Sequence, residues 1–482
     1  MKNIKNQLQK IFLKNISEEQ TLFKNSFWLA ISRFGGSILR AILIIYSFRV
    51  LGPDLQGSFI TAMSFIMIFS FIPDFGLTAI VIREISKNYD NKSKILANAI
   101  VAVTFLLILS IILILLSKNI FIKNNLAQKI INLLILFLIF DVLREFLYAL
   151  FRTYEKMELQ AASHLLTNFI LLTTGIIILS LYRSPILLSY AYIIGSIVGF
   201  LFNIIILLKD LTIKYSRYVN IKEIIALLNK SWPIGIANFL FLIITYIDIL
   251  ILGWFYPSKE VGLYSAVVKL VEVLYFFPAA LGMSIFPIIA KKNHSQEITQ
   301  TIHNGINYGI LLSLPMFVGI FILAEDIINL LYGIEYLPAS LALKLITFAI
   351  PLNFLSLTLI EVLIALDKRK ELLIYDIFIV LINFYLNVML VPQFSYFASS
   401  FITSLCSFLS LVFAAFILKK YVHFSFKNIN YKNYVLAAML MGIIIYYLPS
   451  HLIFKIIIGA LSYFGLLLLL KDELLLRILK HQ

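Results

Sequence analysis

The sequence predicts an all-α polytopic membrane protein of fourteen transmembrane helices. Two six-helix lobes related by a pseudo-two-fold along the membrane normal are followed by two C-terminal helices. Three observations carry this prediction. Of the 482 residues, 61% are hydrophobic and 13% charged, against about 45–50% and about 25% in soluble domains. Apolar runs of about 20 residues, enough to cross a hydrocarbon core as a helix, recur along the whole chain. Basic residues gather in alternate gaps between those runs, as they do in multi-pass proteins. A water-soluble enzyme is excluded, and so is a disordered chain, which would be poor in aromatic and branched residues.

The runs fall at 26–48, 57–80, 95–117, 129–150, 158–181, 185–208, 232–254, 261–286, 305–324, 338–364, 372–391, 394–418, 433–448 and 452–470. Stretches such as IVAVTFLLILSIILILL are continuously apolar, unlike the alternation of barrel strands. One set of gaps, which includes both termini, holds 28 of the 40 Lys and Arg residues. The opposite gaps hold six, and Arg33, Arg40, Arg144, Lys269, Lys344 and Lys455 lie inside spans. The positive-inside rule therefore places both termini in the cytoplasm. A misplaced span would scramble this alternation. Residues 1–25 lack the h-region and cleavage site of a signal peptide. Ile4, Leu8, Ile11 and Phe12 recur at helical spacing among lysines, which leaves open an interfacial helix or a solvated tail.

An internal match at an offset of about 205 residues sets Gly57 opposite Gly262, Pro73 opposite Pro278, Lys87 opposite Lys292 and Asn88 opposite Asn293. Six spans precede the basic segment 209–230 and six follow it, so the halves share an orientation, a feature of transporters. The expected parts are an N-terminal segment 1–25, an N-lobe 26–208 and a cytoplasmic linker 209–230. A C-lobe 231–420 and a C-terminal portion 421–482 complete them. The single cysteine, Cys406, excludes a disulfide framework and a thiolate cluster. Six scattered His residues show no metal-ligand spacing, and no cofactor is expected. The net charge of +15 lies in the gaps, which points to anionic membrane lipids rather than nucleic acid.

At RVLGPDLQGSF…IPDFGLTAIVIREISKN (49–88) the sequence resembles the polysaccharide flippases of the multidrug/oligosaccharidyl-lipid/polysaccharide exporter superfamily. ALFRTYEKMELQAA (149–162), YIDILILGWFYPSKEVGLYSAVVKL (246–270) and LIALDKRKELLIYDIFIVLINFYLNVMLVP (363–392) are similar to its later helix junctions. The resemblance implies two lobes around a cavity that opens alternately to each leaflet. It also implies a lipid-pyrophosphate-linked oligosaccharide on undecaprenol as cargo, moved from the cytoplasmic to the periplasmic leaflet.

A charge at the bilayer centre costs about 2.5–3.5 kcal/mol on insertion scales, so charges inside spans mark candidate sites. Ser26, Arg33, Arg40 and Ser47 recur every seven residues and share one helix face. Gly36 and Ser37 beside them leave room for a ligand, and two planar guanidiniums suit pyrophosphate oxygens; neutralisation by neighbouring carboxylates is the alternative. Lys269 either joins the same basic lining or pairs with Glu272. Asp248 has three readings: partner of Arg33 or Arg40, protonatable coupling site, or hydrogen-bonded packing contact. Asp74, between Pro73 and Gly76, is a gate or a backbone cap. Asp141, Arg144 and Glu145 are spaced to pair among themselves. Tyr246, Tyr264 and Tyr275 either belong with the lipid-facing and interfacial aromatics or offer rings to a sugar. Asp376, Asn383 and Asn387 line one helix face, and Lys455 is placed to snorkel.

The resemblance implies a non-enzymatic flippase for O-antigen, lipopolysaccharide or capsule assembly, multi-pass in the bacterial inner membrane; composition alone reaches only a transporter. No GxxxxGK[ST] motif occurs, so a coupling ion (proton or sodium) or the membrane potential must supply energy. Contact with polysaccharide polymerase machinery is a further expectation. A lipid II flippase has the same features. A multidrug antiporter of the same superfamily would need an acidic cavity, and a glycosyltransferase or polymerase a long outer loop.

Overall fold

The computed structural model describes residues 15–210, 218–290, 295–422, 424, 431–472 and 474–476. The proposed interfacial residues Ile4, Leu8, Ile11 and Phe12, and the repeat positions Lys292 and Asn293, lie outside them. Among the described residues the secondary structure is helical and no strand occurs. Ten helical stretches there are long and apolar enough to cross a membrane. Two are far longer than one crossing needs, and both are broken internally. The chain divides into two compact units, Met1–Lys259 and Glu260–Gln482.

The first unit opens with α1 (Glu18–Phe69), capped by the Ser17 side chain, which accepts from the Gln20 backbone N–H. A straight helix of 52 residues would run roughly 78 Å at 1.5 Å per residue, so one crossing cannot hold it. It breaks at Gly52, whose φ of 71° favours glycine, just before Pro53, which has no N–H to donate. A second break follows α2 (Phe71–Asp74): Phe75 and Gly76 both have positive φ before α3 (Leu77–Lys87) begins. α4 (Lys92–Phe121), α5 (Asn125–Thr153), α6 (Met157–Tyr182), α7 (Pro185–Asp210) and α8 (Ile221–Phe255) complete the unit.

α1 packs on α6 through small residues, as helices in lipid do when backbones must approach closely. A Cβ on Gly36 would run into the His164 ring, and one on Gly175 would lie 2.6 Å from Leu43 Cδ1. The seventh expected span, at 232–254, forms α8. It packs against α1, α2, α3 and α4 inside the first unit, which runs on to Lys259. Its start is tied by Asn98, which accepts from the Asn220 N–H (2.8 Å) and donates to Glu223 (2.6 Å).

The second unit takes up most of α9 (Ser258–Leu274), then α10 (Phe276–Ala290) and α11 (Ser295–Leu331). A 3₁₀ turn (Ile334–Ala339) leads into α12 (Ser340–Thr347) and α13 (Ala349–Ala365). α14 (Arg369–Lys419) is broken at Ser395, with φ 53° and ψ −142°. The break between α9 and α10 at Tyr275 matches the one that starts at Ser70, at the offset of about 205 that aligns Pro73 with Pro278. The final helices, α15 (Tyr431–Tyr447) and α16 (Leu452–Leu469), bury Tyr434, Met441, Tyr463 and Leu467 against Leu311 and Leu323 of α11.

Candidate functional site

Along α1, residues advance by about 100° each, which separates three sectors. Ser32, Gly36 and Leu43 are buried on the side that meets α6. Ile31, Phe34, Ile38 and Ile42 form an exposed apolar sector. Ser26, Arg33, Ser37 and Arg40 are also exposed, but on a separate polar sector roughly a third of a turn away. Arg33 and Arg40 lie about 10 Å apart along the axis. Ser47, the expected fourth member, is buried and bonded to Ile44 O (2.8 Å), so the face ends at Arg40. Gly36 does not leave room for a ligand: the space is filled by the His164 ring.

Arg40 is held from α6. Its Nε and Nη2 donate to Asn168 Oδ1 at 3.3 and 3.2 Å. Asn168 donates in turn to His164 O (2.8 Å), which fixes the amide with its oxygen toward Arg40. His164 Nδ1 donates to Ser32 O at 3.1 Å, because a carbonyl only accepts. On α5, the buried Arg144 pairs with Asp141 (2.6 Å) and Glu145 (2.8 Å), the internal pairing its spacing predicts. Its Nε and Nη1 have no partner among the described residues. Glu145 also lies within electrostatic range of Arg40 and Arg152.

Apart from Lys129 at the first position of its span, six basic residues lie inside the expected spans, and four of them form ion pairs. Arg144 pairs as above, Lys269 with Glu272 (2.7 Å), Lys344 with Glu325 (3.2 Å) and Lys455 with Asp326 (2.9 Å). Arg33 and Arg40 form none with a carboxylate among the described residues. The expected pairing of Asp248 with either arginine is therefore not formed. Asp248 is buried and accepts from the Ile249 N–H (2.8 Å). Lys269 takes the second of its two readings, charge-masked by Glu272.

Asp74 is a cap. Its Oδ1 accepts from the Thr78 N–H (3.2 Å) and hydroxyl (2.5 Å), which secures the start of α3 after the positive-φ pair. Tyr264 is fully buried, with its phenol 3.3 Å from Thr403 Oγ1, so its ring is not available to a sugar. Asn383 and Asn387 bond to each other, and Ser399 donates to Asn387 (3.0 Å), so this face of α14 closes its own hairpin.

A cavity of about 350 Å³ opens in the first unit among α2, α3, α4, α5 and α8, lined in part by Asp74, Asp141, Glu145, Arg152 and Asn238. Asn168, His164 and Lys24 are the residues that sequence reasoning missed. Lys24, 1% exposed, pairs with Glu158 (3.1 Å) and donates to Glu155 O (3.1 Å). No periodicity announces partners more than a hundred residues away.

Residues 22–293 match the pattern of the family described as "Polysaccharide biosynthesis protein", and 233–389 match that described as MatE. The "Probable low-salt glycan biosynthesis flippase Agl15" of Haloferax volcanii is 23% identical over 432 residues, 87% of this chain and 89% of that protein. The structure superposes on "Lipid II flippase MurJ, inward closed conformation" with a TM-score of 0.79 at 17% identity, over 92% of this chain and 98% of that one. An inward-facing multidrug resistance MATE family transporter of the MOP superfamily gives 0.67 at 13% identity, over 80% and 96%. The fold is thus the two-lobe one of those transporters, and the protein is a multi-pass membrane protein. Because the first pattern spans more than half of its residues, the chain belongs to the Polysaccharide biosynthesis protein family.

Proposed function

We propose that the protein is a flippase, a transporter and not an enzyme. It moves an undecaprenyl-pyrophosphate-linked oligosaccharide repeat unit from the cytoplasmic to the periplasmic leaflet by alternating access, for O-antigen or capsule assembly. The setting is the bacterial inner membrane, with fourteen spans and both termini cytoplasmic, and with 209–230 linking the lobes 26–208 and 231–420. Similarity to a protein named as a glycan biosynthesis flippase supports the cargo class.

One observation carries the reading. Of the cations in the interior of a span, away from its end residues, only Arg33 and Arg40 lack a carboxylate partner among the described residues, and both stand on the exposed polar sector of α1. An unneutralised charge in a span needs water or an anionic ligand to offset its desolvation. Guanidiniums are weakly hydrated and offer planar donor pairs that match phosphate oxygens. With Ser37 between them, they form a ladder that replaces headgroup hydration as the diphosphate crosses. An inside-negative potential drives each negative charge outward by about 2.3 kcal/mol per 100 mV. A multidrug antiporter for cationic drugs would not present unpaired cations here.

The test replaces Arg33 and Arg40 by Ala, singly and together, in cells where surface polysaccharide depends on this protein. The double variant is expected to reach the membrane at normal levels, to lose surface glycan and to accumulate lipid-linked glycan in the cytoplasmic leaflet. Normal surface glycan in that variant would overturn the reading.

A further inference from the structure

The cavity in the first unit has a polar lining of a different kind from the α1 arginines. Its volume, about 350 Å³, falls within the roughly 300–1,000 Å³ of small-molecule sites. Four of its polar side chains are tied to the protein by one end only. Asp74 accepts from Thr78 through Oδ1. Asp141 Oδ1 and Glu145 Oε1 accept from Arg144. Arg152 donates to Gln160 through Nε at 3.0 Å. Among the described residues, the second oxygen of each carboxylate and both terminal nitrogens of Arg152 have no protein partner. The exposed Asn238 amide has none either. Phe241, 68% exposed, adds an aromatic face.

Side chains anchored at one end and open at the other are preorganised, so a ligand that meets them loses little of its binding energy to ordering them. The free groups are mainly acceptors, which calls for a ligand rich in O–H or N–H donors. The flat, branched donors and ring faces of a pyranose fit that description. A diphosphate fits less well, because the three carboxylates that line the cavity outnumber the guanidiniums of Arg152 and of Arg144, which pairs with Asp141 and Glu145, and like charges brought together are disfavoured. An acidic sugar meets the same repulsion.

We propose that this cavity is a glycan subsite that takes a neutral sugar ring of the cargo and rejects a hexuronic acid at the same position. The proposal rests on the flippase reading, in which the diphosphate sits on Arg33 and Arg40. It adds the charge class of the sugar and divides the work: cationic groups on α1 for the phosphates, anionic and amide groups here for hydroxyls. Glu145 connects the two, since it lines the cavity and also feels the charge of Arg40. Discrimination comes from polar groups that only the right ligand satisfies.

The experiment measures binding to the full-length protein in nanodiscs with three probes. They are a short-chain polyprenyl diphosphate, the same lipid bearing a neutral disaccharide, and the same lipid bearing a hexuronic acid next to the diphosphate. The neutral glycan is expected to bind at least tenfold more tightly than the bare lipid, and the acidic one no more tightly than the bare lipid. Asn238→Leu should bring the neutral-to-bare ratio close to one. Asp74→Asn, which keeps an acceptor for Thr78, should narrow the gap between neutral and acidic sugars. Equal binding of the two glycans, or an undiminished ratio in Asn238→Leu, would overturn the proposal. Failure of the flippase reading looks different: bare-lipid affinity would be indifferent to Arg40→Gln while the sugar increment stayed readable.

Discussion

Replacing Asn168 by Ala removes the only hydrogen bonds that the described structure gives Arg40, and the size of the effect follows from their geometry. Both contacts, at 3.3 and 3.2 Å, end on one amide oxygen. They lie at the long end of the N–H···O range, on a side chain that is exposed. Hydrogen bonds to charged groups contribute about 1.5–3 kcal/mol, and long bonds that share an acceptor belong at the lower limit. A loss of about 1.4 kcal/mol is a tenfold weaker complex, so Asn168→Ala should weaken polyprenyl diphosphate binding by about that factor. The loss arises because the guanidinium must be ordered anew when the ligand arrives.

The assay is a double-mutant cycle with Asn168→Ala and Arg40→Gln, reading lipid-diphosphate affinity in nanodiscs and thermal stability in parallel. If Asn168 acts through Arg40, its substitution should change affinity little once Arg40 is gone, and the coupling should nearly equal the single effect. Stability carries a separate signature, since the Asn168 bond to His164 O is also lost. The same tenfold loss in both backgrounds would refute the positioning role.

Three further outcomes are expected. Glu158→Ala leaves the Lys24 ammonium, 1% exposed, without its counter-ion and should destabilise the detergent-solubilised protein by about 3 kcal/mol; Lys24→Met with Glu158→Gln should recover most of that loss in thermal unfolding. Gly76→Ala combines positive φ with a Cβ 2.7 Å from both Ile234 Cβ and Ser231 O. It should cost about 1–2 kcal/mol for the backbone and about 1–3 kcal/mol for overpacking, seen as a lowered unfolding midpoint and earlier proteolysis near the α2–α3 break. Tyr264→Phe, which removes a buried hydroxyl bonded to Thr403, should cost about 1 kcal/mol of stability and leave glycan binding within about twofold, as a radioligand titration would show.

The helical architecture was legible because a bilayer leaves the backbone no partner but itself. Long apolar runs must therefore be helices, and Gly52–Pro53 announces the first break. The break in α14 was legible to within a few residues, since Pro392 separates the expected spans 372–391 and 394–418, although Ser395 at φ 53° carries no signal of its own. The seven-residue spacing found Arg33 and Arg40 because periodicity reports which residues share a face. It does not report what a neighbouring helix brings to that face, so His164 in the space beside Gly36 was invisible. Tyr264 shows the same limit: an aromatic residue in a span reads alike whether it meets lipid, ligand or core. Lys24 was counted as a gap cation, and only folding sets it against Glu158. The expected Asp248–arginine pair failed for a related reason, since opposite charges in two spans do not specify which helices meet.

The most direct test is leaflet exchange of a fluorescent polyprenyl diphosphate in proteoliposomes holding either the natural protein or Arg33→Gln/Arg40→Gln. If guanidiniums carry the headgroup across, the natural protein should exchange the diphosphate lipid well above protein-free vesicles, and the double variant should match those vesicles despite normal folding. Exchange by the double variant at the natural rate would contradict that account.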